Sequence, residues 1–317
     1  MLSGYWISRM WRQKYAAQAS PYAGFLLSRW WRIAPLFFAV HLLAAGLIAM
    51  GVAGGSQTLL NDPVWWLTQP AVAGSTQFGR LLPPAWSLDV EMQFYFLAPL
   101  LMAGMLTLKT RGLALLALGA TAWGILRLLG PASLETPLLD VFLWLFVIGA
   151  VCDQAGWKPR RRTVAASIGL MASVLLAMLA IPTSRPLIWR HGASTAETVI
   201  GGEWLFLVLC LVSIPIAIST VHRSSGSWDR WLGDLSYPLY LFHWLPRDWY
   251  YRQVDWAQPA WWNGGLLLTN FAASILGAIV LLHLIDRPAQ RARAAWFKSK
   301  QSRPMGIHTP QTENSSP

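Results

Sequence analysis

The chain is 317 residues long, 55% apolar and 12% charged, with a formal net charge of +11. Soluble domains carry about 25% charged residues, so there is too little charge here to coat a water-soluble globule. Uncharged stretches at 33–61, 163–184, 204–222 and 256–285 are each long enough to cross a hydrocarbon core of roughly 30 Å as a helix.

The first ten residues, MLSGYWISRM, hold no long apolar core, so no cleavable signal peptide is expected. Eight spans then follow, at approximately 33–52, 86–107, 112–130, 137–153, 163–182, 203–221, 234–251 and 262–285. The fold class read from them is all-α, a polytopic membrane helix bundle. The seventh span is the shortest in apolar content, since twelve residues separate Asp234 from Arg247; Trp249, Tyr250 and Tyr251 extend it as interfacial aromatics. Two segments, 53–85 and 182–202, are rich in Gly, Pro, Ser and Thr and are expected to shape an irregular mouth on the external side.

Charge tests the threading. With the N-terminus inside, 19 of the 25 Lys and Arg fall on the cytoplasmic side and 6 on the other. That asymmetry is the positive-inside bias, and it predicts an inner membrane protein with both termini in the cytoplasm. Dropping the seventh span would carry the basic C-terminal segment outside. The basicity is therefore topogenic and suited to anionic lipid headgroups, and no nucleic-acid partner is implied. Many of the 20 Trp fall near span ends, as an aromatic belt does. Cys152 and Cys210 sit in or at the ends of apolar segments, and no Cys/His spacing implies a metal. Residues 1–290 read as one membrane domain, and 291–317 as a basic, polar tail without regular structure.

Ionisable groups inside spans are costly and are functional candidates for that reason. Arg29 and Arg32, three apart before the first full span, share a helix face. They read either as a positive-inside anchor or as a clamp for donor phosphates, which guanidinium geometry suits. In PPAWSLDVEMQFYFLAPLL, Asp89 and Glu91 are two apart and point to different faces, so they are no acid/base dyad. Glu91 and Tyr95, four apart, give one polar face directed into the bundle; Glu91 is either functional or a packing carboxylate paired with an Arg. His243 lies near mid-span in LGDLSYPLYLFHWLP, with Tyr240 three and Tyr237 six residues before it. That stripe can line a cavity in which a neutral histidine acts as base, acid or donor. His41 and His283 have apolar neighbours and read as structural. Asp286-Arg287-Pro288 reads as helix-end punctuation.

Together these segments resemble acyltransferase family 3, the integral-membrane O-acyltransferases of bacterial carbohydrates. Leu2 to Tyr5 (LSGY) is similar to the family's LSGF at the end of its second helix. Arg29, Arg32 and Pro35 resemble its Arg-x-x-Arg-(Ile/Leu)-x-Pro segment. WSLDVEMQFYFLAPLL resembles WSLSVEEQFYLLWPLL, with Trp86, Ser87, Glu91, Phe94, Tyr95 and Pro99 matching and Met92 in place of a common second Glu. LGDLSYPLYLFHW resembles LGxxSYxLYLxHW, carrying Ser236, Tyr237, Tyr240 and His243, and HLIDRPAQ resembles xxIERPxx with Asp286 for Glu.

The family has ten helices, and the resemblance begins at the end of its second. The chain is thus expected to lack the family's first helix, whose histidine is regarded as catalytic, and to leave residues 1–11 as an orphan helix end. The resemblance implies transfer of an acyl group, expected to be acetyl, from acyl-CoA to a hydroxyl of a cell-surface or exported carbohydrate such as a lipopolysaccharide or exopolysaccharide. Acyl-CoA would be a substrate, with no bound cofactor. In that reading His243 and Glu91 are catalytic, Arg29 and Arg32 hold the donor phosphates, and Trp86, Ser87, Tyr95, Tyr237 and Tyr240 shape the cavity. Two alternatives stay open: a transporter or flippase for a carbohydrate-linked lipid, and an inactive truncated remnant. No inverted repeat with Gly/Pro-broken helices in matching halves favours the transporter.

Overall fold

A computed structural model of the chain describes residues 1–54, 57–68, 81–128, 139–181, 196–255 and 257–301. Parts of the two expected external segments (69–80 and 182–195) and the tail 302–317 lie outside the described residues. Everything regular among the described residues is helical. Helix α1 (Leu2–Met10) passes through a π-helical turn (Trp11–Tyr15) towards α2 (Pro21–Ala49), and two short helices, α3 (Gln57–Leu60) and α4 (Pro63–Thr68), follow. Next come α5 (Trp86–Met105), α6 (Thr110–Leu128), α7 (Leu139–Gln154), α8 (Arg161–Ala180) and α9 (Ala196–Val221). The chain then forms α10 (Ser227–Phe242), α11 (Trp244–Gln253), α12 (Ala260–Leu281), a π-helical stretch (Leu282–Asp286) and α13 (Arg287–Gln301).

Among the described residues, five helical runs are long and apolar enough to cross a membrane: Pro21–Ala49, Thr110–Leu128, Arg161–Ala180, Gly201–Val221 and Trp261–Ser299. The last extends for about 58 Å at 1.5 Å per residue, nearly twice the hydrocarbon thickness. Its apolar α12 portion therefore spans, while α13, with Arg287, Arg291, Arg293 and Lys298, lies beyond. Apart from α2, these runs are mostly unburied within the bundle and carry exposed leucines such as Leu115, Leu118, Leu176 and Leu268. On helices of this length such side chains fit a bilayer's acyl chains rather than water. The chain is an all-helical membrane protein.

The remaining expected spans are α5, α7 and the α10–α11 pair: α7 and α10 are only 16 residues each, α5 carries Asp89 and Glu91, and α5 and α7 lie inside. Their neighbours shield them from lipid, so they tolerate polar residues. Leu88, Val90, Met92, Phe94 and Met102 of α5 pack with Phe37 and Val40 of α2 and Phe146 of α7 in the principal core. Residues 1–11 are not an orphan end. Helix α1 lies against α7 so closely that a Cβ on Gly4 would collide with the Phe146 backbone, and one on Gly149 with the Met1 carbonyl. Small residues let helix backbones approach in this way. Arg12 then closes the corner with an ion pair to the buried Asp153 at 2.7 Å.

Two further expectations are corrected. The seventh span is interrupted: α10 and α11 meet at a turn on His243. Pro246 has no N–H for the Phe242 carbonyl four residues earlier, and its ring crowds that carbonyl. The segment from 291 is regular as far as Gln301, because Trp296 packs on Trp31 (ring centroids 5.8 Å apart) and Arg293 donates to the Ser28 carbonyl at 3.3 Å.

Candidate active site

Helix α2 presents Arg29, Arg32 and Ile33 on one face, α5 presents Leu88, Glu91 and Tyr95, and α10 presents Tyr237. These seven residues line a cavity of about 250 Å³. Residues three and four apart on a helix share a face, so the 29/32/33 and 88/91/95 sets follow from local geometry; their meeting follows from packing. Glu91 accepts hydrogen bonds from the Tyr95 hydroxyl at 2.6 Å and the Ser3 hydroxyl at 3.3 Å. The Arg29 guanidinium lies against the Tyr95 hydroxyl. Its Nη2 reaches Met10 Sδ at 3.6 Å, and its Nε is buried without a protein partner.

Arg32 is more heavily committed. Its Nη1 lies 3.3 Å from Asp286, a carboxylate that is almost wholly buried, and its guanidinium sits over the Tyr237 ring at 5.9 Å. Gln290 donates to both Asp286 (3.1 Å) and the Arg32 carbonyl (3.1 Å). Asp286 is therefore a partner of the candidate donor clamp, a role that helix-end punctuation does not include. Tyr237 donates to the Ile33 carbonyl at 2.8 Å and so ties α10 to α2 beside the cavity.

His243 and Tyr240 do not line this cavity. With Ser236, Leu239, Arg247 and residues of α12 they border a second, largely apolar cavity of about 580 Å³. The expectation of one chamber for all the named residues is thus replaced by two. Between them stand Tyr237 and Tyr240 on successive turns of α10. The Tyr240 hydroxyl meets Ser87 at 2.6 Å and also donates to the Pro84 carbonyl. His243 Nδ1 lies 2.8 Å from the Tyr240 carbonyl and 3.1 Å from that of Leu239. Carbonyls only accept, so neutral His243 carries its proton on Nδ1, and Nε2 is left as the basic atom. Arg247 stacks on Trp244 (4.1 Å) and Tyr251 (4.7 Å) at the rim. Trp86 borders neither cavity and packs on Phe142, ring centroids 5.4 Å apart.

Asp89, Gln93 and His41, also inside spans, are bonded within the bundle. Asp89 is fully buried and accepts from Gln93 at 3.0 Å, whose own amide oxygen accepts the Leu139 N–H at the start of α7. His41 bonds the Phe37 carbonyl at 2.9 Å within its own helix, and Cys152 and Cys210 are free thiols. Ser3, Asp286, Gln290 and Arg293 are the participants that sequence reading missed. Ser3 lies in the LSGY segment, and Asp286 and Gln290 lie in HLIDRPAQ, where a carboxylate directly follows an apolar span; Arg293 carried no signal.

Comparison with known proteins gives the chemistry a family. The family described as "Acyltransferase domain", acyltransferase family 3, matches residues 1–284. An uncharacterized protein of Aquifex aeolicus (strain VF5) is similar, 26% identical over 241 residues covering 74% of this chain and 92% of that protein. No solved structure matches. With a match across nearly the whole helical bundle, including every residue of both cavities, the chain belongs to acyltransferase family 3.

Proposed function

We propose that this acyltransferase moves an acyl group, acetyl in the simplest case, from acyl-CoA to a hydroxyl of a cell-surface or exported carbohydrate, and that it does so in the bacterial inner membrane with both termini cytoplasmic. The observation that carries the reading is the convergence of Arg29, Arg32, Glu91, Tyr95 and Tyr237 on one small cavity. Guanidiniums suit the diphosphate of the donor. Glu91, held by Tyr95 and Ser3, is a positioned carboxylate beside them.

In this reading the second cavity admits the acceptor. His243 Nε2 takes the proton of the sugar hydroxyl as its oxygen attacks the thioester carbonyl. The carbon–oxygen bond forms, the carbon–sulfur bond breaks, and the proton returns to the departing thiolate. General acid–base help of this kind contributes roughly 100- to 10,000-fold. Tyr240 and Ser87, bonded to each other between the cavities, would hold the reacting groups apart from lipid.

The test is transfer of labelled acetyl from acetyl-CoA to carbohydrate in vesicles carrying the chain, beside Glu91→Gln and His243→Ala. Label reaching carbohydrate with the parent chain and lost in both variants supports the reading. Inserted, folded protein that transfers no acyl group from any CoA thioester would move a carbohydrate-lipid transporter ahead of it.

A further inference from the structure

Helix α13 lies just beyond the last residue of the family match, 284, and its approach to α2 follows a simple pattern. Asp286 meets the Arg32 side chain, Gln290 the Arg32 carbonyl, and Arg293 the Ser28 carbonyl. Advancing along α13 means retreating along α2, so the two run antiparallel there. Arg293 therefore arrives one turn, about 6 Å, on the N-terminal side of Arg32. It lies within electrostatic range of both Arg29 and Arg32.

Three half-buried guanidiniums thus converge. The groups facing them are two carboxylates, Asp286 and Glu91, the hydroxyls of Tyr15, Tyr95 and Tyr237, and Lys14, whose ammonium sits over the Phe297 ring at 5.8 Å. Asp286 is already bound by Arg32 and Gln290, and Glu91 by Tyr95 and Ser3. The cluster retains net positive charge in a poorly hydrated place, where like charges repel more strongly than in water. Arg293 uses one N–H on Ser28, at 3.3 Å, longer than a charged hydrogen bond normally is. The Arg29 Nε has no protein partner at all.

We propose that Arg293 is the third arginine of a polyphosphate site shared with Arg29 and Arg32, so that the phosphates of the donor lie between α13 and the N-terminal turns of α2. A diphosphate can span an offset of about one helical turn, each phosphate offering its own oxygens to a guanidinium. The inference rests on the reading of the donor as acyl-CoA, and it places a donor-binding residue in a segment outside the family match.

The experiment uses the full chain in nanodiscs of phosphatidylcholine alone, comparing the parent with Arg293→Gln and Arg293→Lys. Inorganic pyrophosphate and CoA should raise the melting temperature of the parent, and Arg293→Gln should need about tenfold more of either, the scale of one charged hydrogen bond. Arg293→Lys should recover much of the response. In transfer assays Arg293→Gln should raise KM for acetyl-CoA about tenfold with kcat within about twofold, and phosphate-free acetyl-pantetheine should show no such split. Equal loss with both donors would make Arg293 a packing residue and overturn the proposal. If no acyl donor is used but pyrophosphate still protects through Arg293, the site stands and the acyl-CoA reading falls. A parent chain protected by neither anion, or only by added phosphatidylglycerol, would also overturn it.

Discussion

Arg32 in α2 and Asp286, 254 positions later, form an ion pair at 3.3 Å in which the carboxylate is almost wholly buried and the guanidinium is about one-third exposed. The pair joins the first long helix of the bundle to the last and sets the position of one wall of the arginine-lined cavity. Asp286→Asn leaves the guanidinium half-buried without its counter-charge. The expected cost is about 1–3 kcal/mol, below that of a fully buried pair because Arg32 keeps contact with solvent. Thermal unfolding of Arg32→Gln, Asp286→Asn and the double variant checks this. The double variant should lose less than the two single losses combined, and simple additivity would show that the pair is not coupled.

Glu91→Gln keeps the shape of the side chain and an oxygen able to accept from Tyr95, so the protein should fold with a near-normal melting temperature. Acyl transfer should nevertheless fall roughly 100-fold or more if the charge acts in the reaction. Tyr95→Phe, which removes the 2.6 Å bond to Glu91 and the contact with Arg29 but keeps the carboxylate, should fall less. A Glu91→Gln variant that transfers normally would remove the carboxylate from the mechanism.

His243 sits on an open cavity with Nε2 as its basic atom. Replacing it with alanine should abolish most transfer, and imidazole added to the vesicles should restore part of it by occupying the vacated space. Activity that is lost without any imidazole response, alongside a lowered melting temperature, would assign His243 a structural role.

The turn at His243 depends on Pro246, which withholds an N–H from the Phe242 carbonyl. Pro246→Ala supplies that donor and lets α10 and α11 join as one helix. Stability should hold or rise, while transfer should fall because the imidazole is re-aimed. Unchanged activity with increased helix stability would mean that the break has no part in placing His243.

Helix α1 depends on contact without side chains. Gly4→Ala places a methyl against the Phe146 backbone and should cost about 1–3 kcal/mol, as overpacking does. Gly169 in α8 has nothing within 4 Å of its would-be Cβ, so Gly169→Ala should stabilise by about 0.5–1 kcal/mol through helix propensity. Melting curves of the two variants in one detergent compare them directly; a harmless Gly4→Ala would show that α1 is not clamped to α7.

Much of the architecture was legible along the chain. The runs at Pro21–Ala49, Thr110–Leu128, Arg161–Ala180, Gly201–Val221 and the apolar part of Trp261–Ser299 announce themselves because lipid-facing helices must be apolar nearly all round. The inner helices α5 and α7 were bounded to within two residues, whereas α2 begins at Pro21, twelve residues before the expected start, because its first turns carry Arg29 and Arg32 and do not read as apolar. The break at His243 had a local sign in Pro246. The helical stretch from 291 to Gln301 did not, because its order comes from docking Trp296 and Arg293 on α2.

The sequence by itself determined that the chain lives in a bilayer, which way its charge bias points, and which polar residues share a helix face: Arg29 with Arg32, Glu91 with Tyr95, Tyr237 with Tyr240. Hydropathy, charge and helical period are sums over near neighbours, so they can be read without knowing the fold. Only the tertiary structure decided which faces meet. It brought Asp286 to Arg32, Ser3 to Glu91 and Ser87 to Tyr240, and it divided the expected single chamber into two cavities. Helical periodicity orients a face around its own axis, and the packing of many helices at once selects the face opposite.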